Sequence, residues 1–314
     1  LAIFAIAVIL LILFPFREEK EEKKAFTPYV SAYTSGVISN QSTIRVMLME
    51  EIQQANPNQI VKEQVLKFSP SINGQTYWID NRTLEFRPAE KLPSGKKFNA
   101  ELELDKLTDV PKELKTFEFS FQTIEQSYKT TFTGLQAYDP QDLKYQQLLG
   151  ELNTADHADA QKVRTMLTAL QDGQELSISW QHGPDGRMHK FTADSILRKE
   201  QEASVVLRWE GSAIDAAEDK EDEISIPSLS DFEVLNLSVV QQPEQSISVV
   251  FSDPIDEGQD LEGLLHLSSG AALKYVVDGN EIKLFPEVRQ KGEDELIIEP
   301  SVMNSLGYTL DKTC

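Results

Sequence analysis

Apolar and polar side chains alternate along this chain in one strand-length run after another, and that period of two commits it to a β-rich fold. Ile44, Val46 and Leu48 alternate with Arg45 and Met47, and Leu84 and Phe86 with Glu85 and Arg87. Tyr77 and Ile79 alternate with Trp78 and Asp80, and Phe117, Phe119 and Phe121 with Glu118 and Ser120. Successive side chains of a strand point to opposite faces, so each run offers one face to a core and the other to water. Turn residues, Asn73-Gly74 and Pro93-Ser94-Gly95, separate the runs. The pattern predicts an antiparallel β-sandwich over residues 28–126.

The same text returns later. YWIDNRTLEFRP, residues 77–88, aligns without a gap onto YVVDGNEIKLFP, residues 275–286, with Tyr, Asp and Pro coinciding. Leu84 and Phe86 fall on Ile282 and Leu284, which predicts equivalent core positions, with Glu85 and Lys283 turned outward. The strand around Ile44 matches the one around Ile247, and Phe68-Ser69 matches Leu267-Ser268. A second sandwich is expected over residues 231–314. The offset carries the strand 117–121 past Cys314, so this copy is expected to lack its closing strand, in a chain that is a fragment at both ends.

Residues 129–228 read differently. Val163, Met166, Leu167 and Leu170 stand at helical spacing and predict a helix of about four turns, capped by Thr154 or Asp156 and ended by Asp172-Gly173. Strands follow at Leu176-Ile178-Trp180 and Val205–Trp209, with a tight turn at Gly183–Gly186 between them. The expectation is a small mixed α/β domain that closes in an acidic linker, DAAEDKEDE, residues 215–223.

At the N-terminus, residues 1–16 read LAIFAIAVILLILFPF, an unbroken apolar run shorter than the ~20 residues of a spanning helix. It is expected to be an uncleaved membrane anchor helix or signal segment, followed by a charged stalk over 17–27. The rest of the chain would then face the periplasm or the exterior of a cell envelope.

Composition limits the chemistry. Thirty basic against fifty-one acidic residues give a net charge of −21, which repels a phosphate backbone and disfavours nucleic acid as a partner. The single cysteine, Cys314, cannot build a disulfide framework within the chain. His182 and His189 bracket the turn at 183–186 and could meet across a hairpin, a poor metal site without a third ligand. His157 sits between Asp156 and Asp159, where helix capping is the expected role. SDPIDEGQDLEG, residues 252–263, fits turns after a strand better than a calcium loop. Trp78, Trp180 and Trp209 lie in strand text and are expected as core or cover. No phosphate loop, serine elbow or dinucleotide fingerprint occurs, so no catalytic, cofactor-binding or metal-ligating residue is assigned, no cofactor is implied, and an enzyme is not expected.

Two stretches carry a resemblance. One is SISVVFSDPIDEGQDLEGLLHLS (246–268), followed by YVVDGNEIKLFP and by SLGYTLDKT; the other is FSPSINGQTYWIDNRTLEFRPAEKLPSGKKFNAELE. Together they resemble the N-terminal Ig-like and first macroglobulin domains of bacterial alpha-2-macroglobulin-like proteins. That resemblance covers the two outer units. It implies a membrane-proximal scaffold of a broad-range protease-trapping inhibitor, whose partners are host or competitor proteases and, through residues 1–16, the membrane. The family's thioester, a Cys three residues before a Gln, has no counterpart among these residues, so bait and thioester would lie outside them. The alternative is an Ig-like surface or adhesion protein without a trap.

Overall fold

A computed structural model describes residues Ala25–Asp311; the anchor expected over 1–16 and most of the stalk lie outside the described residues. Among the described residues no helix is long and apolar enough to cross a membrane. The chain forms two compact units, one ending at Gln126 and the other beginning at Ser127.

The first unit is a sandwich of two four-stranded sheets. One holds β1 (Val30–Tyr33), β3 (Ile44–Leu48), β6 (Thr83–Pro88) and β5 (Gly74–Trp78) in that order. The other holds β2 (Gly36–Ile38), β8 (Thr116–Thr123), β7 (Lys97–Glu103) and β4 (Leu66–Ser69). Neighbours are antiparallel except β2 and β8. The alternation read from the sequence becomes the core: Ile44, Val46, Leu84 and Phe86 of one sheet meet Phe98, Leu102, Phe117 and Phe121 of the other. Phe26, read as the end of the stalk, is buried and lies edge-on to Phe117 at 5.1 Å.

Glu85 faces away from that core, as alternation requires, yet it is buried. Arg45 and Arg87 close over it, their Nε atoms donating at 2.6 and 2.7 Å, and Thr43 Oγ1 adds a third bond at 3.2 Å. Burial pushes its carboxyl up, but these three donors outweigh it and hold the group below its ordinary range. Arg87 also covers the ring of Tyr77 at 4.3 Å.

The second unit contains two cores. The first lies between sheet β13 (Ile178–His182), β14 (Met188–Leu197), β10 (Asp142–Thr154), β9 (Tyr128–Asp139) and sheet β12 (Gln174–Glu175), β11 (Leu167–Gln171), β15 (Ala203–Trp209), β16 (Lys220–Ile226). This is a β-sandwich and not the mixed α/β domain expected. The four-turn helix is a single turn, α1 (Ala160–Arg164), capped by Asp159, whose side chain accepts from the amides of Gln161 and Lys162, and not by Thr154 or Asp156. Val163 and Met166 are buried by that turn, and Leu167, Ala169 and Gln171 are then buried by strand alternation. Helical and strand spacing coincide over so short a run. The ladder offered by β15, with Leu167 opposite Trp209 and Ala169 opposite Leu207, decides for the strand. The acidic stretch is likewise no free linker, because Lys220–Ile226 is the edge strand β16, paired with β15.

The second core belongs to sheet β17 (Val234–Val240), β18 (Ser246–Phe251), β21 (Glu281–Pro286), β20 (Leu273–Asp278), faced by the pair β19 (Leu265–Leu267) and β22 (Leu296–Ile298). Its four-stranded order repeats that of β1, β3, β6 and β5. Leu84, Phe86, Ile282 and Leu284 all lie in their cores, and Lys283 is exposed. The gapless alignment nonetheless hides a slip of register. Trp78 stands opposite Leu84 in the first copy, so Thr76 and Trp78 face the core and Tyr77 faces out. In the second copy Val277 stands opposite Ile282 and Tyr275 opposite Leu284, so the tyrosine has changed faces. The hairpins explain it. Asp278 pairs with Glu281 across Gly279-Asn280, with Gly279 at φ +58°, whereas the first copy closes a longer loop in which Asp80 accepts from the amides of Arg82 and Thr83. One residue of turn length reverses every side chain on a strand.

Candidate functional site

Titratable side chains that are both buried and short of partners are where chemistry or sensing concentrates. In the second unit these are Tyr128, whose hydroxyl pKa burial pushes up to about 12, and the pair His182 and His189. The turn at 183–186 pairs β13 with β14 so that the two histidines lie directly opposite each other, as the hairpin reading expected. Their Nδ1 atoms are 2.9 Å apart, and His189 is fully buried. Both Nε2 atoms are buried without a hydrogen-bond partner. One ring must donate through Nδ1 and the other accept, so the neutral pair holds two protons, one of them on a buried Nε2. A third proton has only the remaining Nε2 to occupy, inside the fold. Burial accordingly pushes both imidazoles below the ordinary histidine value, helped by Arg164 at His182 and by His182 itself at His189.

The sign of the pH dependence follows. Both groups bind protons less readily in the folded chain than in the unfolded one. Stability is therefore held above the unfolded value of about 6.5 and falls as pH drops below it toward the folded values. We expect the melting temperature of the second unit to fall on going from pH 7.5 to 5.5, and a His182→Gln chain to lose less over the same step. Equal losses in the two chains would show that the pair does not titrate in this range.

Beside the pair lies a cleft of about 540 Å³ lined by Arg164, Leu167, Glu175, Leu176, Ile178 and Trp180. The half-buried Trp180 ring stacks nearly parallel on His182 at 6.0 Å and tilts against Phe191 at 5.5 Å. Trp78 and Trp209 are core residues; Trp180 is the tryptophan that also lines a cleft. No nucleophile is paired with a base there. Among the described residues no group of three or more His, Cys, Asp or Glu could hold a metal ion. His157 lays its ring against Gly186, and its amide is bonded to Asp156 Oδ1 at 2.8 Å.

A second constellation, which the sequence reading did not single out, joins the two cores of this unit. Arg198, just past β14, and Asp253, just past β18, form an ion pair with both side chains wholly buried. Arg198 Nε donates to the Pro227 carbonyl at 3.1 Å, and Nη2 donates to the carbonyls of Ser228 and, at 2.9 Å, Asp231. Asp253 Oδ2 accepts from Ser252 Oγ and Asn304 Nδ2, each at 3.1 Å. Burial pushes the Asp253 carboxyl up, against the pull of Arg198 and these hydrogen bonds. Around the pair, Gln146 Nε2 donates to the Ser252 carbonyl at 3.0 Å, and Asn280 Nδ2 bonds the carbonyls of Phe251 and Leu135. In sequence Asp253 reads only as part of a turn, and a lone arginine after a strand carries no signal of its own.

No family model and no curated protein matches this sequence. Among solved structures, an L,D-transpeptidase from Mycobacterium tuberculosis H37Rv is similar over 71% of this chain and 75% of its own, at 10% identity and a TM-score of 0.23. A three-Ig fragment of titin, domains I67–I69, covers 88% of this chain and 94% of its own at 10% identity and a TM-score of 0.24. The glucan-utilization protein SGBP-B of Bacteroides ovatus covers 90% and 64% at 10% identity and a TM-score of 0.27. Likenesses this weak carry no argument, and function rests on the chain's own residues.

Proposed function

We propose that this chain is the scaffold part of a bacterial alpha-2-macroglobulin-like protease trap, held at the cell envelope through residues 1–16. What supports the reading is the duplication: one four-strand order occurs twice, with core residues at matching places, in the two stretches that carry the resemblance. The buried joint at Arg198 and Asp253 suits a spacer role, because a buried contact held by several hydrogen bonds limits how two sandwiches move against each other. In this reading the chain performs no chemistry. It spaces the trap from the membrane, and the bait and acylating groups belong to other parts of the protein.

The test is an asymmetry. A cage excludes substrates by size, whereas an inhibitor seated in an active site blocks large and small substrates alike. The intact protein, mixed with a general protease, should protect a protein substrate and leave a short chromogenic peptide cleavable. The 314-residue chain alone should slow the cleavage of neither substrate. Unchanged cleavage of both substrates by the intact protein would remove the trap and leave an Ig-like surface protein.

A further inference from the structure

A buried phenol stands unsatisfied beside an acidic strand edge in the second unit. Residues 215–223 hold six acidic residues and one lysine. Their second half runs into β16, the outer strand of its sheet, which among the described strands pairs only with β15. Alternation gives this strand two faces. Asp222 and Ile224 stand opposite the buried Leu207 and Val205 and are half-buried, whereas Glu221 and Glu223 point outward and are exposed. Glu221 pairs with Arg208 at 2.9 Å and Asp215 with Lys162 at 3.4 Å; the other four carboxylates have no ion pair among the described residues.

Tyr128, the first residue of β9, is 8% exposed, and its hydroxyl is buried with no hydrogen-bond partner. The hydroxyl end of its ring is aimed at the acidic stretch. A Cβ on Gly211 would stand 3.1 Å from the Tyr128 Cε1 and 2.0 Å from the Glu218 carbonyl oxygen. Trp209, its ring 6.3 Å from that of Tyr128, donates through Nε1 to Asp222 Oδ2 at 2.9 Å. The charges of Asp219, Asp222 and Glu218 add to burial in disfavouring the phenolate. Charges along an edge strand often serve only to keep other strands away. That role calls for no buried hydroxyl, and an unpaired one in a native core marks a place where a partner is wanted.

We propose that the free edge of β16 docks a basic extended segment of a partner protein, which adds to the sheet as a further strand. On the outer face its cations meet Glu221 and Glu223. On the inner face one cation meets Asp222 and donates to the Tyr128 hydroxyl oxygen, and the residue opposite Ile224 is apolar. Lys220 now lies over the tyrosine, its Nζ 4.8 Å from the ring centroid. It is exposed and held there by a 3.4 Å bond to the Tyr128 carbonyl, so an incoming cation can displace it. Main-chain hydrogen bonds supply the affinity of such a strand, and its alternate side chains, matched in charge to the edge, select the partner. The inference is independent of the protease-trap reading.

The experiment titrates the 314-residue chain with the end-capped peptide Thr-Val-Lys-Arg-Lys-Thr, which in antiparallel register sets valine opposite Ile224 and arginine opposite Asp222. Binding should saturate at one peptide per chain, and hydrogen exchange along β16 should slow about tenfold or more. Glu223→Lys, at an exposed position, should weaken binding about tenfold. Tyr128→Phe should also weaken it about tenfold, without lowering the melting temperature, because the hydroxyl has no bond to lose. The same peptide N-methylated throughout keeps every charge but cannot donate to the strand, and should bind at least about tenfold more weakly. Equal binding of the two peptides would overturn the proposal, since charge alone would then account for it. So would unchanged exchange along β16, or a Tyr128→Phe chain that binds as the parent does.

Discussion

Asp253→Ala should cost the second unit about 3–5 kcal/mol, because it leaves the Arg198 guanidinium charged, buried and without its counter-ion. The loss falls at the joint of two cores, so unfolding should also become less cooperative, with a smaller denaturant slope or two separate steps. Trp180 and Trp209 both belong to this unit, so fluorescence in a Trp78→Phe background follows it alone. A change below about 1 kcal/mol would show that the pair does not hold the cores together. The double variant Arg198→Met, Asp253→Leu distinguishes this site from a simple ion pair. Buried pairs are often replaced by apolar residues at little cost, but Arg198 also satisfies the carbonyls of Pro227, Ser228 and Asp231. Each carbonyl left without a donor costs about 1–3 kcal/mol, so the double variant should stay well below the parent.

Phe86→Ala should destabilise the first unit by about 3–5 kcal/mol. Phe86 is buried between the sheets, its ring 4.6 Å from that of Phe68, and it already borders a cleft of about 540 Å³. The cavity has little means of collapse, because Gly74 lies so close that a Cβ there would stand 2.6 Å from the ring and 2.3 Å from the Arg87 carbonyl. Trp78, on the adjoining strand, reports the transition. The matching change in the other copy, Leu284→Ala, should cost about 2–5 kcal/mol in the second unit only. A Phe86→Ala loss below about 1 kcal/mol would contradict the core position that the repeat assigns to it.

The parts of this protein that its sequence determined are those set by local periodicity and by counting. Alternation placed Ile44, Val46, Phe117 and Phe121 in a core, because strand geometry leaves no other way to bury them. The repeat located a second sandwich, and the spacing of His182 and His189 across a turn was enough to bring their rings together. Tertiary structure decided what depends on a partner distant in the chain. Leu167–Gln171 became a strand because β15 offered it a ladder, against a spacing that suited a helix equally well. Tyr77 and Tyr275, aligned without a gap, face opposite ways because their hairpins differ in length. Glu85 alternates outward yet is buried, since Arg45 and Arg87 arrive over it from neighbouring positions of the sheet. Arg198 and Asp253 are each unremarkable where they stand in the chain, and they form the driest ion pair of the described residues because the fold of the second unit closes around them. Periodicity fixes which face of a strand is apolar. Only the packing of one strand on another fixes what that face meets, because burial and pairing energies belong to contacts and not to residues.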